Sequence, residues 1–211
     1  IGFGQGCIRL SQFSSQLESE TTSKYKVSFW NTLIREYFTQ NAIMKIALWE
    51  DNKKVKGKPL QISVPILSYF FREMTQSGIK SMSLSFDGAR ERLSSQNCAV
   101  VECDSAVWTH NYTSGSTVTL RGPLTVHVRI CPHANQTPTR SQRLAWSLKF
   151  YHFQFSSFIH EKFYTTPSPN RVLSQQRAEE EGIWENPFGI PQAALRCLEV
   201  RPQHLIHDIT C

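Results

Sequence analysis

Residues 27–50, VSFWNTLIREYFTQNAIMKIALWE, contain the pattern that decides the fold. The apolar side chains of its first half recur at the spacing of one helical stripe: Val27, Trp30, Ile34, Tyr37 and Phe38. Ser28 is the predicted N-cap and Gln40-Asn41 the predicted stop. The dense apolar run Ile43–Trp49 is too short for a second helix and suits a buried strand. The segment therefore predicts a helix that leads directly into a strand and carries no chemistry of its own.

Length and charge limit the classes of protein that this chain can belong to. With 211 residues, of which 40% are hydrophobic and 11% aromatic, it can bury one good core. The net charge is +6, but the 23 lysines and arginines are scattered and never form a long run. We therefore expect no direct contact with nucleic acid. No apolar run approaches the roughly 20 residues that a membrane-spanning helix needs, so no membrane partner is expected.

The cysteines and sequons give no sign of a metal or of secretion. Six cysteines occur without CxxC spacing, which argues against a zinc site. We expect reduced, mostly buried thiols in an intracellular protein, with neither a metal nor another cofactor. The sequons at Asn111 and Asn135 matter only if the chain is secreted.

The order of the remaining patterns predicts an α+β domain. A short helix is expected at about Cys7–Leu17, and a second helix opens at Pro65 and ends at Gly78. A strand is expected at 60–64, between the charged turn 50–59 and that second helix. Strand patterns follow at 79–86, 98–103, 106–112, 117–120, 124–130 and 143–155, with a polar loop at 131–141. Helices first and strands together favour one antiparallel sheet curled around the 27–38 helix.

The C-terminal part differs in composition from the rest. We expect an α+β domain over residues 1–164, a proline-containing linker over 165–182 and a separate C-terminal segment over 183–211. Pro191 can start a final helix in that segment. Asn186-Pro187-Phe188 is either an exposed ligand motif or a structural turn with Phe188 packed on this chain's own core, and its apolar neighbours favour the turn.

No catalytic signature is present in the sequence. Phosphate-binding loops, nucleophile elbows and HExxH are absent, and the histidines at 110, 127, 133, 152 and 160 lack a partner motif. Two residues as close in sequence as Cys131 and His133 seldom bind the same metal ion or form one thiol–imidazole pair. Asp87 and Asp104 come nearest to a proton-transfer role, yet both occupy turn positions. A small-molecule binder or proton-transfer enzyme with a pocket inside the sheet remains the alternative.

Seven short segments of the chain share a pattern with a known family. They are GCIRLSQFS at 6–14, VSFWN at 27–31, REYF at 35–38, PILSYFF at 65–71, VECD at 101–104, RLAW at 143–146 and LRCL at 195–198. Together they resemble the LIM-domain-binding protein family (Chip, CLIM or NLI). Their order covers nearly the whole chain. The Pro/Ser linker, the loop at 131–141 and the NPF triplet depart from the family pattern, and we expect a divergent, fungal member.

The resemblance implies a fold and a function. The fold would be a nuclear transport factor 2-like cone that forms homodimers. The function would be a nuclear scaffold that bridges DNA-binding transcription factors and cofactors without catalysis. Its C-terminal part would dock a single-stranded-DNA-binding-protein-type cofactor through that cofactor's N-terminal helical domain. In the family a separate, later segment holds LIM domains, so LIM binding is not carried over to these residues.

Two surfaces are candidates for these contacts. An aromatic strand of the sheet is a good isologous surface, and the predicted dimer residues are Leu124, Val126, Trp146, Leu148 and Phe150. The alternative is that they line the interior and that self-association uses the helices. The predicted cofactor-docking residues are Ile183, Trp184, Phe188, Leu195 and Leu198. They could instead form a strap packed on their own chain.

Overall fold

The computed structural model describes residues 2–49, 59–132, 146–164 and 190–198. The helices are α1 (Gln5–Glu18), α2 (Val27–Tyr37), α3 (Val64–Gln76) and α4 (Gln192–Arg196), with a 3₁₀ turn at Thr22–Tyr25. The strands are β1 (Phe38–Leu48), β2 (Leu60–Ser63), β3 (Ile79–Ser85), β4 (Arg90–Ser95), β5 (Cys98–Tyr112), β6 (Ser116–Pro132), β7 (Trp146–Ser157) and β8 (Ile159–Tyr164). Among these helices, none has the length and apolar character that crossing a membrane requires.

The predicted helix that leads directly into a strand is present, but it begins and ends at other residues than the sequence predicted. Lys26 is the N-cap of α2, and it makes no side-chain capping bond. Ser28 lies inside the helix, where its carbonyl accepts from Thr32 Oγ1 at 3.0 Å. The helix ends at Tyr37, before the predicted stop, because Phe38 adopts an extended conformation and pairs with Phe150 of β7. Pairing with a distant strand therefore overrides the local stop signal.

All eight strands form one sheet in the order β2-β1-β7-β6-β5-β3, with β4 paired to β5 and β8 to β6. The expectation of a purely antiparallel sheet is wrong, because β1 and β7 pair in parallel. β5 joins two of the predicted strands through a bulge between Cys103 and Ala106, and β6 joins two more across Gly122. A Cβ at Gly122 would lie 1.9 Å from the carbonyl oxygen of Ser156, so only glycine fits this crossing.

The sheet is curled, since neighbouring residues of α1 contact strands that are four steps apart in the sheet order. The Phe13 ring lies 5.5 Å from that of Phe38 in β1, and Ser14 Oγ donates to the carbonyl of Leu84 in β3 at 3.0 Å. Four steps would be about 19 Å in a flat sheet. A helix with its side chains is only about 10–12 Å wide, so the sheet bends around α1.

The helix at the centre of the core is α1, which corrects the expectation that α2 holds this place. Phe13 of α1 is fully buried, and its ring centroid lies 5.3–6.5 Å from those of five other aromatic residues. Trp30 of α2 is also buried, but it stacks on Phe71 of α3. The absence of a side chain at Gly6 brings α1 close to β5, since a Cβ there would lie 3.0 Å from Val101 Cγ2.

Residues 190–198, the last range that the structure describes, pack on the main domain. Ile190 and Ala194 are buried in the same core as the sheet, and α4 contacts α3. Residues 165–182 and most of 183–211 lie outside the described residues, as do the predicted charged turn and most of the polar loop. The proposed division into domain, linker and segment therefore stays a prediction.

Candidate interaction surfaces

In the interior of the curled sheet, the space beside Trp108 is nearly filled. The cavity there has a volume of about 10 Å³ and is lined by apolar residues of the sheet and α3, with Trp108, His110 and Ile190. This volume is at most that of one water molecule. Small-molecule sites are typically about 300–1,000 Å³. Ile190 from the C-terminal segment occupies the space beside Trp108, so this part of the interior does not admit a substrate.

The carboxylates considered for proton transfer lie on the surface. Asp87 is exposed and accepts from Ser85 Oγ at 2.8 Å. Asp104, at the bulge of β5, accepts from the Arg90 guanidinium at 2.8 Å, and its side chain is 85% exposed. Neither carboxylate can serve a reaction inside the cone. His110 is buried in the interior, and His133 lies outside the described residues.

The structure corrects three of the five predicted dimer residues. Leu124, Val126 and Phe150 are at most 1% exposed, because their side chains point from β6 and β7 towards the helices. They cannot contact a second copy while the protomer is folded. Trp146 is 57% exposed and Leu148 is half-buried. Alternation along a strand separates two faces of the sheet without showing which one is buried. Here the more apolar face is the interior one.

The opposite face of the sheet, which we call the outer face, carries a row of five residues in direct register. The row crosses β1, β7, β6, β5 and β4 in the order Ile43, His152, His127, Val100 and Arg92, of which Val100 is buried and adds no exposed surface. The His127 and His152 rings are 5.3 Å apart, and His127 Nδ1 lies 3.1 Å from the Tyr151 hydroxyl. The next row contains both signs of charge: Lys45, Gln154, Thr125, Glu102 and Arg90.

Both histidines of the outer face favour the neutral form. Burial, and then the cation of Arg92, lower the pKa of His127 from its ordinary value. Burial, Lys45 and His127 lower the pKa of His152. These residues were not predicted as a surface, although Thr125, His127 and Arg129 mark the polar face of β6 in the sequence.

A groove lies between α1, α2 and the beginning of β7. Its volume is about 830 Å³. Ile8 and Arg9 of α1, Arg35 and Glu36 of α2, and the four residues 146–149 of β7 line most of it. Arg9 spans its floor, donating to the carbonyls of Leu148 and Glu36 at 2.9 Å each. Trp146 therefore belongs to a concave surface and not to a flat sheet face.

The predicted cofactor-docking residues are only partly described. Leu195 and Leu198 are half-buried and pack against the core, while Ile183, Trp184, Phe188 and the rest of the NPF triplet lie outside the described residues. The five cysteines that the structure describes are free thiols, and only Cys103 is fully buried. Burial and Glu91 raise the pKa of Cys7 to about 11. Among the residues that the structure describes, no cluster of three or more histidine, cysteine, aspartate or glutamate side chains could hold a metal ion.

Two comparisons of the sequence point to regulation of transcription. The model of the LIM-domain binding protein family matches residues 8–181. The transcriptional activator ptaB of Aspergillus fumigatus is 24% identical over 118 residues, which are 56% of this chain and 15% of that protein. The chain thus spans about 15% of the length of this relative.

Solved structures with similar architecture include enzymes and proteins of other kinds. A hexachlorocyclohexane dehydrochlorinase, LinA-type3, from Novosphingobium barchaimii is 9% identical with a TM-score of 0.45, over 78% of this chain and 95% of that one. A nuclear transport factor 2-like superfamily protein from Salmonella enterica is 12% identical with a TM-score of 0.41, over 78% and 96% of the two chains. The expected α+β fold is confirmed, with a mixed sheet curled around helices.

Proposed function

The chain belongs to the LIM-domain binding protein family, and on this premise we propose that it is a homodimeric scaffold of transcriptional regulation. In this proposal the chain bridges DNA-binding transcription factors and cofactors in the nucleus, and it catalyses no reaction. Both the family and the fungal transcriptional activator support a role as a co-regulator. The nearly filled space beside Trp108 supports a scaffold over the alternative enzyme of the same fold.

The observation that carries the dimer is the outer face of the sheet. Its central side chains, Tyr151, His127 and His152, are half-buried and lie outside the hydrophobic core that the helices cover. A two-fold interface must be self-complementary. The second row supports this requirement, because Lys45 and Glu102 lie three strands apart in it and would face each other across a two-fold axis placed between β7 and β6. The outer face replaces the buried strand residues as the proposed dimer surface.

The docking of a cofactor remains assigned to the C-terminal segment. We propose that Ile183, Trp184, Phe188, Leu195 and Leu198 contact the N-terminal helical domain of a single-stranded-DNA-binding-protein-type cofactor. The packing of Leu195 and Leu198 on the core supports a segment that is held in place before the partner arrives. Half-buried apolar side chains at such a position leave part of their surface for a partner.

A co-capture experiment tests the dimer. One copy with a bead-bound tag should capture a second, differently tagged copy, and His152→Glu in both copies should abolish capture by placing two carboxylates near the two-fold axis. Trp146→Glu is the matched control, since it adds the same charge in the groove and should leave capture unchanged. If Trp146→Glu prevents capture and His152→Glu does not, the interface is assigned to the wrong surface.

A further inference from the structure

We propose that the groove between α1, α2 and β7 binds an acidic peptide segment of a partner protein, with one bulky apolar side chain of that peptide against Trp146. This site does not depend on the dimer, because it includes no residue of the two outer-face rows. Its shape, charge and exposed apolar side chains each support the same occupant.

The groove is basic. Arg9, Arg35 and Lys149 line it together with a single carboxylate, that of Glu36. Arg9 pairs with Glu36 at 3.5 Å, and its guanidinium lies 3.9 Å from the centre of the Tyr37 ring. Arg35 and Lys149 therefore supply the excess of positive charge. These cations are held in place, since Lys149 Nζ donates to the Arg35 carbonyl at 2.6 Å and Arg35 Nε donates to the Asn31 carbonyl at 3.3 Å. Cations that are already fixed lose little side-chain entropy when an anionic ligand binds. The excess of positive charge selects a ligand that carries carboxylates.

The same groove exposes large apolar side chains. Trp146 is 57% exposed and Ile8 is 59% exposed. Leu148, which also lines the groove, is half-buried and packs against the core. An exposed tryptophan in a concave site is a frequent anchor of protein interfaces. The ligand should therefore place a leucine or a phenylalanine beside carboxylates, which is the pattern of an acidic amphipathic peptide.

Three separate segments build this site. Ile8 and Arg9 come from 6–14, Arg35 and Glu36 from 35–38, and Trp146 ends 143–146. These are three of the stretches in which the chain resembles its family. They are far apart in sequence and meet at this groove.

A second copy of the chain does not fit the groove as well as a peptide does. In an isologous contact the groove would face its own copy, and the cations of Arg35 and Lys149 would lie opposite like charges. A concave surface also cannot fill itself. Charge and shape therefore both favour a different, acidic partner.

Fluorescence anisotropy with synthetic peptides tests the proposal on the full 211-residue chain. The probe is a fluorescein-labelled peptide of glutamates with one central phenylalanine. One control peptide has lysines for the glutamates, and another has alanine for the phenylalanine. The wild-type chain should bind the probe more tightly than either control. Trp146→Ala should weaken binding about thirtyfold, as loss of an interface anchor does. Arg35→Glu should weaken it about tenfold and reduce its dependence on salt.

Phe163→Ala is the matched control variant, since Phe163 is 52% exposed on β8, away from the groove. It should bind the probe as the wild type does. Circular dichroism should show that the variants remain folded, and the indole N–H resonance lost in Trp146→Phe should be the one that shifts on titration. The proposal is overturned if the wild type binds no probe, if Phe163→Ala weakens binding as much as Trp146→Ala, or if Trp146→Ala disrupts self-association.

Discussion

Replacing Phe13 with alanine tests which helix organises the core. Phe13 is fully buried and contacts the rings of Tyr37, Phe38 and Phe150, so truncation removes the centre of an aromatic cluster. Loss of a buried phenylalanine typically costs about 3–5 kcal/mol in the free energy of unfolding. The upper part of this range applies here, because the neighbours come from α2, β1 and β7 and cannot all move into one void. For a chain of this length, a loss of about 4–5 kcal/mol should lower the melting temperature by about 8–20 °C.

Urea unfolding followed by circular dichroism measures this cost. Ile8→Ala is the control, because Ile8 lies on the same helix but is 59% exposed, and surface changes usually stay within about 0.5 kcal/mol. Phe13→Leu keeps an apolar side chain and should recover most of the loss. If Phe13→Ala costs less than about 1 kcal/mol while Trp30→Ala costs about 3–5 kcal/mol, α2 is the organising helix and our assignment of α1 is refuted.

Three further perturbations have definite outcomes. Gly122→Ala should lose at least about 3 kcal/mol, because its Cβ would lie 1.9 Å from the Ser156 carbonyl; a melting temperature within about 2 °C of wild type would contradict this. Ile190→Ala should cost about 2–5 kcal/mol by enlarging the interior cavity; an unchanged urea midpoint would show that the segment does not pack there. The pKa values of His127 and His152 are lowered from 6.5 in the folded protein. Stability that is present above pH 6.5 should therefore decrease as the pH falls through the folded pKa values, and a double glutamine variant should flatten this dependence.

Local signals in the sequence predicted several elements well. Pro65 lies in the first turn of α3, and Gly78 follows its end with a φ of 98°. These residues act on their own backbone, so their effect does not depend on the rest of the molecule. The order of the helix and strand patterns predicted the α+β class, and the resemblance supplied the family.

Features that depend on distant pairing were missed. The parallel pairing of β1 with β7 leaves no mark in either strand, because alternation does not encode the direction of a partner. β4 is an almost fully exposed edge strand, so RERLSS lacks the alternation that reveals a half-buried strand. Asp104 and Gly122 were taken as ends of strands, although they lie at a bulge and at a close crossing within continuous strands.

The surface residues were predicted less well than the fold. Apolar character led to Leu124, Val126 and Phe150, and the same character buries them in the core, with Phe150 against Phe13 of α1. The outer face is built from His127 and His152, whose polar side chains become a surface only when strands align them in register. The groove likewise exists only once α1, α2 and β7 are packed together.

Light scattering of the purified chain across a range of concentrations tests the central claim, self-association, most directly. We expect a mass of twice the 24.2 kDa of one chain at micromolar concentration, with His152→Glu reducing it to that of a single chain. A wild-type mass of 24.2 kDa throughout the range would contradict the proposal that this protein is a homodimeric scaffold.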